Sequence, residues 1–154
     1  MSDALVNAVN DLKPSLTDLF ARIADQTGDE HGISRASYGE AETAAGESLI
    51  AYARERGLDA GYDRVGNATF TAPGRFEAAP KILIGSHLDS VPRGGNYDGL
   101  AGVVAGIGTL VALKECGSAA QQGLRVLGFR GEESPWFGTA YLGSKLFTGQ
   151  LSLS

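Results

Sequence analysis

Two short stretches of this chain hold the residue types and spacings that could do chemistry. "GSHLDSVPRGGNYDG" at 85–99 carries His87, Asp89 and Asp98, and "RGEES" at 130–134 carries Glu132 and Glu133. Four carboxylates gathered around one imidazole repel one another unless a cation neutralises them. Borderline metals such as zinc accept imidazole and carboxylate together. His87 and Asp89 are two apart, so an extended backbone puts them on one side, where Asp89 suits fixing the tautomer of a metal-bound His87. Asp98, as an ionised carboxylate with two oxygens, can bridge two ions. The adjacent glutamates allow division of labour: one binds metal while the other takes a proton from an attacking water.

These residues need a scaffold that brings two chain-distant stretches together. "KILIGS" at 81–86 and "LRVLGF" at 124–129 are short continuous apolar runs and read as buried strands. Each runs directly into one of the reactive stretches. In an open α/β sheet, sites gather beyond the carboxyl ends of the strands, so parallel neighbours would open both stretches on the same edge. Between them, Asp98 can cap a helix running to about Glu115, giving a strand–helix–strand crossover. The Gly102 and Gly106 spacing on that helix reads as close packing on the sheet.

The rest of the chain supplies cover. Apolar positions from Leu5 to Ile23 recur at helical spacing over 3–26, with a break or kink expected at Pro14. Residues 27–34 read as a polar loop. "SYGE" at 37–40 has the capping-box form and starts a second helix ending near Arg56, before Gly57. Strands are expected at Tyr62–Val65 and Ala68–Thr71, separated near Gly66–Asn67. A third helix is expected to start near Trp136 or Phe137. The fold class is therefore α/β, a three-layer α/β/α arrangement with a mostly parallel sheet.

Composition narrows the function classes. With 154 residues, 43% hydrophobic, the chain can bury a core. The net charge of −5 argues against a nucleic-acid binder. The apolar run from Gly99 to Leu113 is too short for a membrane span and holds four glycines. The single cysteine, Cys116, excludes an internal disulfide and fits a cytoplasmic protein. No P-loop and no G-x-S-x-G elbow is present, and the serine, histidine and aspartate of "GSHLDS" are sequence neighbours rather than a converging triad. His31 in "DEHG" reads as a surface residue.

"GSHLDSVPRGGNYDGLAGVVAG" at 85–106, "FRGEESPWFGTAYLGSK" at 129–145 and "RVGNATFTAPG" at 64–74 resemble the hydantoinase/carbamoylase family of amidases, di-metal amidohydrolases within the group of co-catalytic zinc peptidases and deacylases. The resemblance runs from about residue 15 to 149. It implies that His87 binds one metal, Asp98 bridges both, Glu133 binds the second, Glu132 is the general base and Asp89 orients His87. It implies two zinc ions, or manganese, cobalt or nickel in their place, and a small ureido or amide substrate such as an N-carbamoyl-L-amino acid or an allantoate-like acid. The stretch "SPWFG" departs from the Gly-Ser-Arg-Phe type of segment common in the family. The resemblance also implies that residues 1–154 are the N-terminal part of a catalytic domain. The lid domain, through which family members form homodimers, and the C-terminal segment, which supplies further histidines, would lie outside it. Weak metal binding and little or no catalysis by this chain alone are then expected, with self-association possible. Two other readings stand beside this one: a deacylase or aminopeptidase of the wider group, and a non-catalytic fragment.

Overall fold

A computed structural model describes residues 3–152. The N-terminal helix α1, Asp3–Thr27, runs through Pro14 without interruption. Pro14 sits on the exposed face, where the carbonyl it cannot bond is open to water, so the expected break is absent. The buried face carries Ala8, Leu12, Leu19 and Ile23, steps of four and seven that return to one side of a 3.6-residue helix. The expected polar loop folds into a small antiparallel hairpin, β1 (Gly28–Asp29) with β2 (Gly32–Ile33).

Helix α2 spans Glu40–Glu55, β3 spans Asp59–Tyr62 and β4 spans Ala68–Thr71. The strand expected at Tyr62–Val65 thus lies three residues earlier. Asp63 accepts the backbone N–H groups of Val65 and Asn67, which turns the chain where a strand would have continued. Strand β5 is Ile82–His87, helix α3 is Leu100–Glu115, β6 is Leu124–Phe129 and α4 is Leu142–Phe147. The last helix begins later than the sequence predicts, because residues 134–138 form a turn closed by Gly138 N–H donating to Ser134 O.

The larger sheet has the order β3-β4-β6-β5. Only β5 and β6 pair in parallel; β3–β4 and β4–β6 are antiparallel. The α/β class holds, but the sheet is mixed rather than mostly parallel. The short turn between β3 and β4 permits an antiparallel hairpin, while the α3 crossover is long enough for the one parallel pair. The β5 run was expected to be buried, yet β5 is an edge strand with Ile82 61% and Leu83 48% exposed.

The core lies on one face of this sheet. Helix α3 packs on β5 and β6 with one side and on α1 with the other, so it is apolar nearly all round. This accounts for the long apolar run at 99–113 without a membrane, and no helix among the described residues is long and apolar enough to cross one. A Cβ on Gly102 would lie 2.6 Å from Ser86 Cβ, and one on Gly106 would lie 2.7 Å from a Val126 methyl. The two glycines let α3 sit tight on the strands, as their spacing suggested. On the opposite face Leu127, Thr69 and Thr71 are buried at mid-sheet, Phe147 of α4 stacks edge-on against Phe129, and Leu83 of the edge strand stays exposed. The third, helical layer of the expected α/β/α arrangement is therefore incomplete among the described residues.

Candidate metal centre

The parallel register aligns His87 with Phe129, so β5 and β6 end together. The chain leaving β5 carries Asp89 and Asp98, and the chain leaving β6 carries Glu132 and Glu133. Shared direction and register thus deliver both stretches to one edge.

His87 stands at the meeting point. Its Nδ1 lies 3.0 Å from the Asp89 carbonyl oxygen and 3.4 Å from Asp89 Oδ1. Both partners only accept, so Nδ1 carries the proton and Nε2 faces away from Asp89. Nε2 lies 3.8 Å from Asp98 Oδ1 and 4.0 Å from Glu133 Oε1. One ligand atom from each of His87, Asp98 and Glu133 falls within 4.8 Å of the others. Donors about 2.0–2.2 Å from a tetrahedral zinc stand roughly 3.3–3.6 Å apart. The observed separations are somewhat wider, within reach of a small side-chain adjustment. One neutral imidazole nitrogen and two carboxylates suit a divalent borderline metal.

Asp89 does more than orient His87. It is fully buried, and its Oδ2 accepts the Ser37 hydroxyl at 2.6 Å and Glu133 N–H at 2.9 Å. Its Oδ1 accepts Glu132 N–H at 3.1 Å. One carboxylate therefore ties the β5 exit to the β6 exit and fixes the backbone of both glutamates. Burial pushes the Asp89 pKa up, but the bonds from His87, Ser37 and the two N–H groups outweigh it, and the net shift is downward. Burial pulls His87 down, but its bonds to Asp89 and the nearby Asp98 charge raise it on balance.

Glu132 is not part of the three-ligand group. Its Oε1 accepts Ser144 N–H and its Oε2 accepts the Ser144 hydroxyl, each at 2.8 Å. Ser144 lies on α4, and Tyr141 just before that helix donates its N–H to the Glu132 carbonyl. A carboxylate oxygen has two lone pairs, so this clamp leaves one on each oxygen for a proton.

Two local capping expectations fail here. Ser37 does not cap α2, whose N-cap is Gly39 with no side-chain bond; its hydroxyl is committed to Asp89. Asp98 does not cap α3 either. The N-cap is Gly99, at φ 67°, and the Asp98 side chain is left nearly half exposed beside His87. A Cβ at Gly99 would fall 2.4 Å from His87 Nδ1, so only glycine fits there.

Glu42 is a residue the sequence reading passed over. It is fully buried and accepts Arg130 Nε at 2.6 Å, Tyr38 N–H at 2.7 Å and Gly131 N–H at 3.0 Å. Burial pushes its pKa up, and Arg130 and the two N–H groups pull it back without cancelling the rise. It braces the "RGEE" turn from below. Trp136, in the variant "SPWFG" stretch, donates Nε1 to Ser90 O at 2.8 Å and adds a third link between the two exits. Among the described residues, the non-glycine positions with left-handed backbone are Tyr38, Arg93 and Tyr141. Each sits in a segment that touches these loops, where backbone strain is commonly kept for function.

Comparison with known proteins places the chain among amidohydrolases and hydantoinase/carbamoylase-type folds. Over 120 residues the chain is 35% identical to an N-carbamoyl-L-amino acid amidohydrolase of Geobacillus stearothermophilus, covering 78% of this chain and 29% of that one. It is 31% identical over 122 residues to a ureidoglycolate hydrolase of Arabidopsis thaliana, covering 79% of this chain and 26% of the relative. The fold matches the crystal structure of a hydantoinase/carbamoylase family amidase from Burkholderia ambifaria with a TM-score of 0.79 and 32% identity, over 91% of this chain and 34% of the other. The chain thus spans about three-tenths of the length of the curated relatives it matches. Residues 67–152, more than half of the chain and including all five residues of the two reactive stretches, match Peptidase family M28, and the chain belongs to that family.

Proposed function

We propose that this chain carries the metal-holding part of a hydrolase that cleaves non-peptide C–N bonds in small ureido or amide compounds, N-carbamoyl-L-amino acids first among them. The observation that carries this reading is the convergence of His87 Nε2, Asp98 and Glu133, with His87 Nδ1 committed to Asp89. The relatives named for N-carbamoyl amino acids and ureidoglycolate supply the substrate class.

His87, Asp98 and Glu133 would hold the metal, with zinc the first choice and Asp98 suited to bridging a pair. When bound, the metal supplies Lewis-acid activation of water and of the scissile carbonyl. The chain's own residues do the rest. Asp89 keeps the Nδ1 proton on His87 so that Nε2 presents a lone pair. Glu132, steadied by Ser144, accepts a proton from water on a free lone pair and returns it to the leaving nitrogen. Three protein ligands are a catalytic-type set that leaves a position open. For two ions they are few, so zinc binding by this chain is expected to be weak and its turnover slow. Cys116 as the single thiol fits the cytoplasmic location proposed for it.

The test is zinc uptake measured by equilibrium dialysis, followed by a substrate panel at high protein concentration with zinc supplied. Zinc retained by the parent chain and lost in His87→Ala supports the centre; equal uptake by both contradicts it. Membership of a peptidase family favours a second substrate class, peptides and acylated amino acids. Faster release from a dipeptide than from an N-carbamoyl amino acid would favour that class.

A further inference from the structure

The loop that carries Asp98 is poorly equipped to hold it. Residues 88–98 include Gly94, Gly95 and Arg93, the last two at positive φ, and the Asp98 carboxylate makes no hydrogen bond among the described residues. Something outside the loop must set its ends.

Arg35 reaches both ends. It is fully buried, its Nε donates to Leu88 O at 2.7 Å and its Nη2 donates to Asp98 O at 3.2 Å. Its own backbone pairs with the same loop: Arg35 N–H donates to Ser90 Oγ at 3.0 Å, and Ser90 N–H donates to Arg35 O at 2.9 Å. The guanidinium spans from the first residue after β5 to the proposed bridging ligand, with a rigid planar fork as the link. No carboxylate among the described residues comes within ion-pair distance of it, although the charges of Asp98, Asp89 and Glu42 favour its cation, and Nη1 is buried without a partner. A buried cation so incompletely satisfied is a poor stability device, since an apolar residue of similar volume costs less. Its placement makes sense as a position-setting one.

We propose that Arg35 is a positioning residue of the metal centre, clamping Leu88 to Asp98 so that the Asp98 carboxylate stands opposite His87 Nε2. The proposal rests on the reading of His87, Asp98 and Glu133 as metal ligands. Arg35 acts through the Asp98 backbone carbonyl.

Two substitutions test it on the 154-residue chain. Arg35→Met removes both donors, and Arg35→Lys keeps the charge and the stem but loses the fork. Zinc affinity is read by competition with a chromophoric chelator, and backbone hydrogen exchange is read on the metal-free protein. Both variants are expected to lose about 10–100-fold in zinc affinity, the range for residues that orient metal ligands. Exchange is expected to quicken over residues 88–99 while β6 and α1 keep their protection. Zinc affinity within twofold of the parent in a folded variant would overturn the proposal, as would a loss of protection spread evenly over all elements. If Arg35→Met does not fold, Arg35→Lys alone gives both readings. A parent chain that takes up no zinc would defeat the metal reading itself, and the exchange arm would still decide whether Arg35 holds the loop.

Discussion

Two kinds of carboxylate in this molecule are treated in opposite ways. Glu42 is sealed inside, and every contact it has is a donor: Arg130, Tyr38 N–H and Gly131 N–H. Asp98 and Glu133 stand partly open, and among the described residues no lysine or arginine pairs with either; the imidazole of His87 is their shared neighbour. A carboxylate that is already answered by the protein builds the fold. Carboxylates gathered without an answer repel one another, a cost in stability that a bound cation would relieve. Asp89 joins the two kinds, being buried and fully answered like Glu42 yet wired to His87 and to the backbone of both glutamates.

The strongest way to break this contrast is to unseat Glu42. Glu42→Ala leaves Arg130 without its buried partner and is expected to cost about 3–5 kcal/mol in denaturant unfolding. Zinc affinity in whatever fraction stays folded should fall far less than in a ligand variant, since Glu42 holds the turn through Gly131 N–H and offers no ligand atom to the centre. The mirror experiment is Asp98→Asn. Zinc affinity is expected to fall on the order of 100-fold, while unfolding free energy of the metal-free chain moves by less than about 0.5 kcal/mol or rises, since a repelling charge is gone from a half-exposed site. If Asp98→Asn destabilises the chain as Glu42→Ala does, the two carboxylates are not of different kinds. Ser37→Ala tests the residue that joins them. Removing a buried hydrogen bond to a charged group is expected to cost about 1.5–3 kcal/mol and also to weaken zinc binding, because Asp89 loses an anchor.

The gentlest probe is pH. The Asp89 pKa is depressed, so its contribution to stability is present above the ordinary carboxylate value and is lost as pH falls through the depressed one. The His87 pKa is raised, so its contribution is full below the ordinary imidazole value and is lost as pH rises through the raised one. The metal-free chain should therefore melt highest between those limits. Zinc affinity should run the other way at the upper limit, climbing as His87 gives up its proton. Melting curves with a chelator present, set beside zinc titrations across the same pH range, check both signs.

Much of this was legible in the residues themselves. Strands β4 and β6 fall where the apolar patterns put them, and α3 starts within two residues of its expected position. Two apolar runs each ending in polar chemistry were enough to foresee a shared edge. The failures come from partners that are distant in sequence. "SYGE" matches a capping box, but nothing local shows that Asp89, 52 residues away, takes the serine hydroxyl. Nothing in the local sequence singles out Arg35 or Glu42, yet the fold buries both. An apolar run shows that a strand exists and not where it stands in the sheet, so β5 read as buried and is an edge. The parallel pair was inferred correctly from a helix between two strands, and extending that direction to the whole sheet ignored the short β3–β4 turn.

The central claim is that the unanswered carboxylates around His87 form a metal site while the answered one does not. Isothermal titration of zinc into the chain, run side by side for the parent, His87→Ala and a folded Glu42 variant, addresses it most directly. Uptake of about one zinc per chain is expected for the parent and the Glu42 variant, with none measurable in His87→Ala. Uptake by His87→Ala equal to the parent's would contradict it.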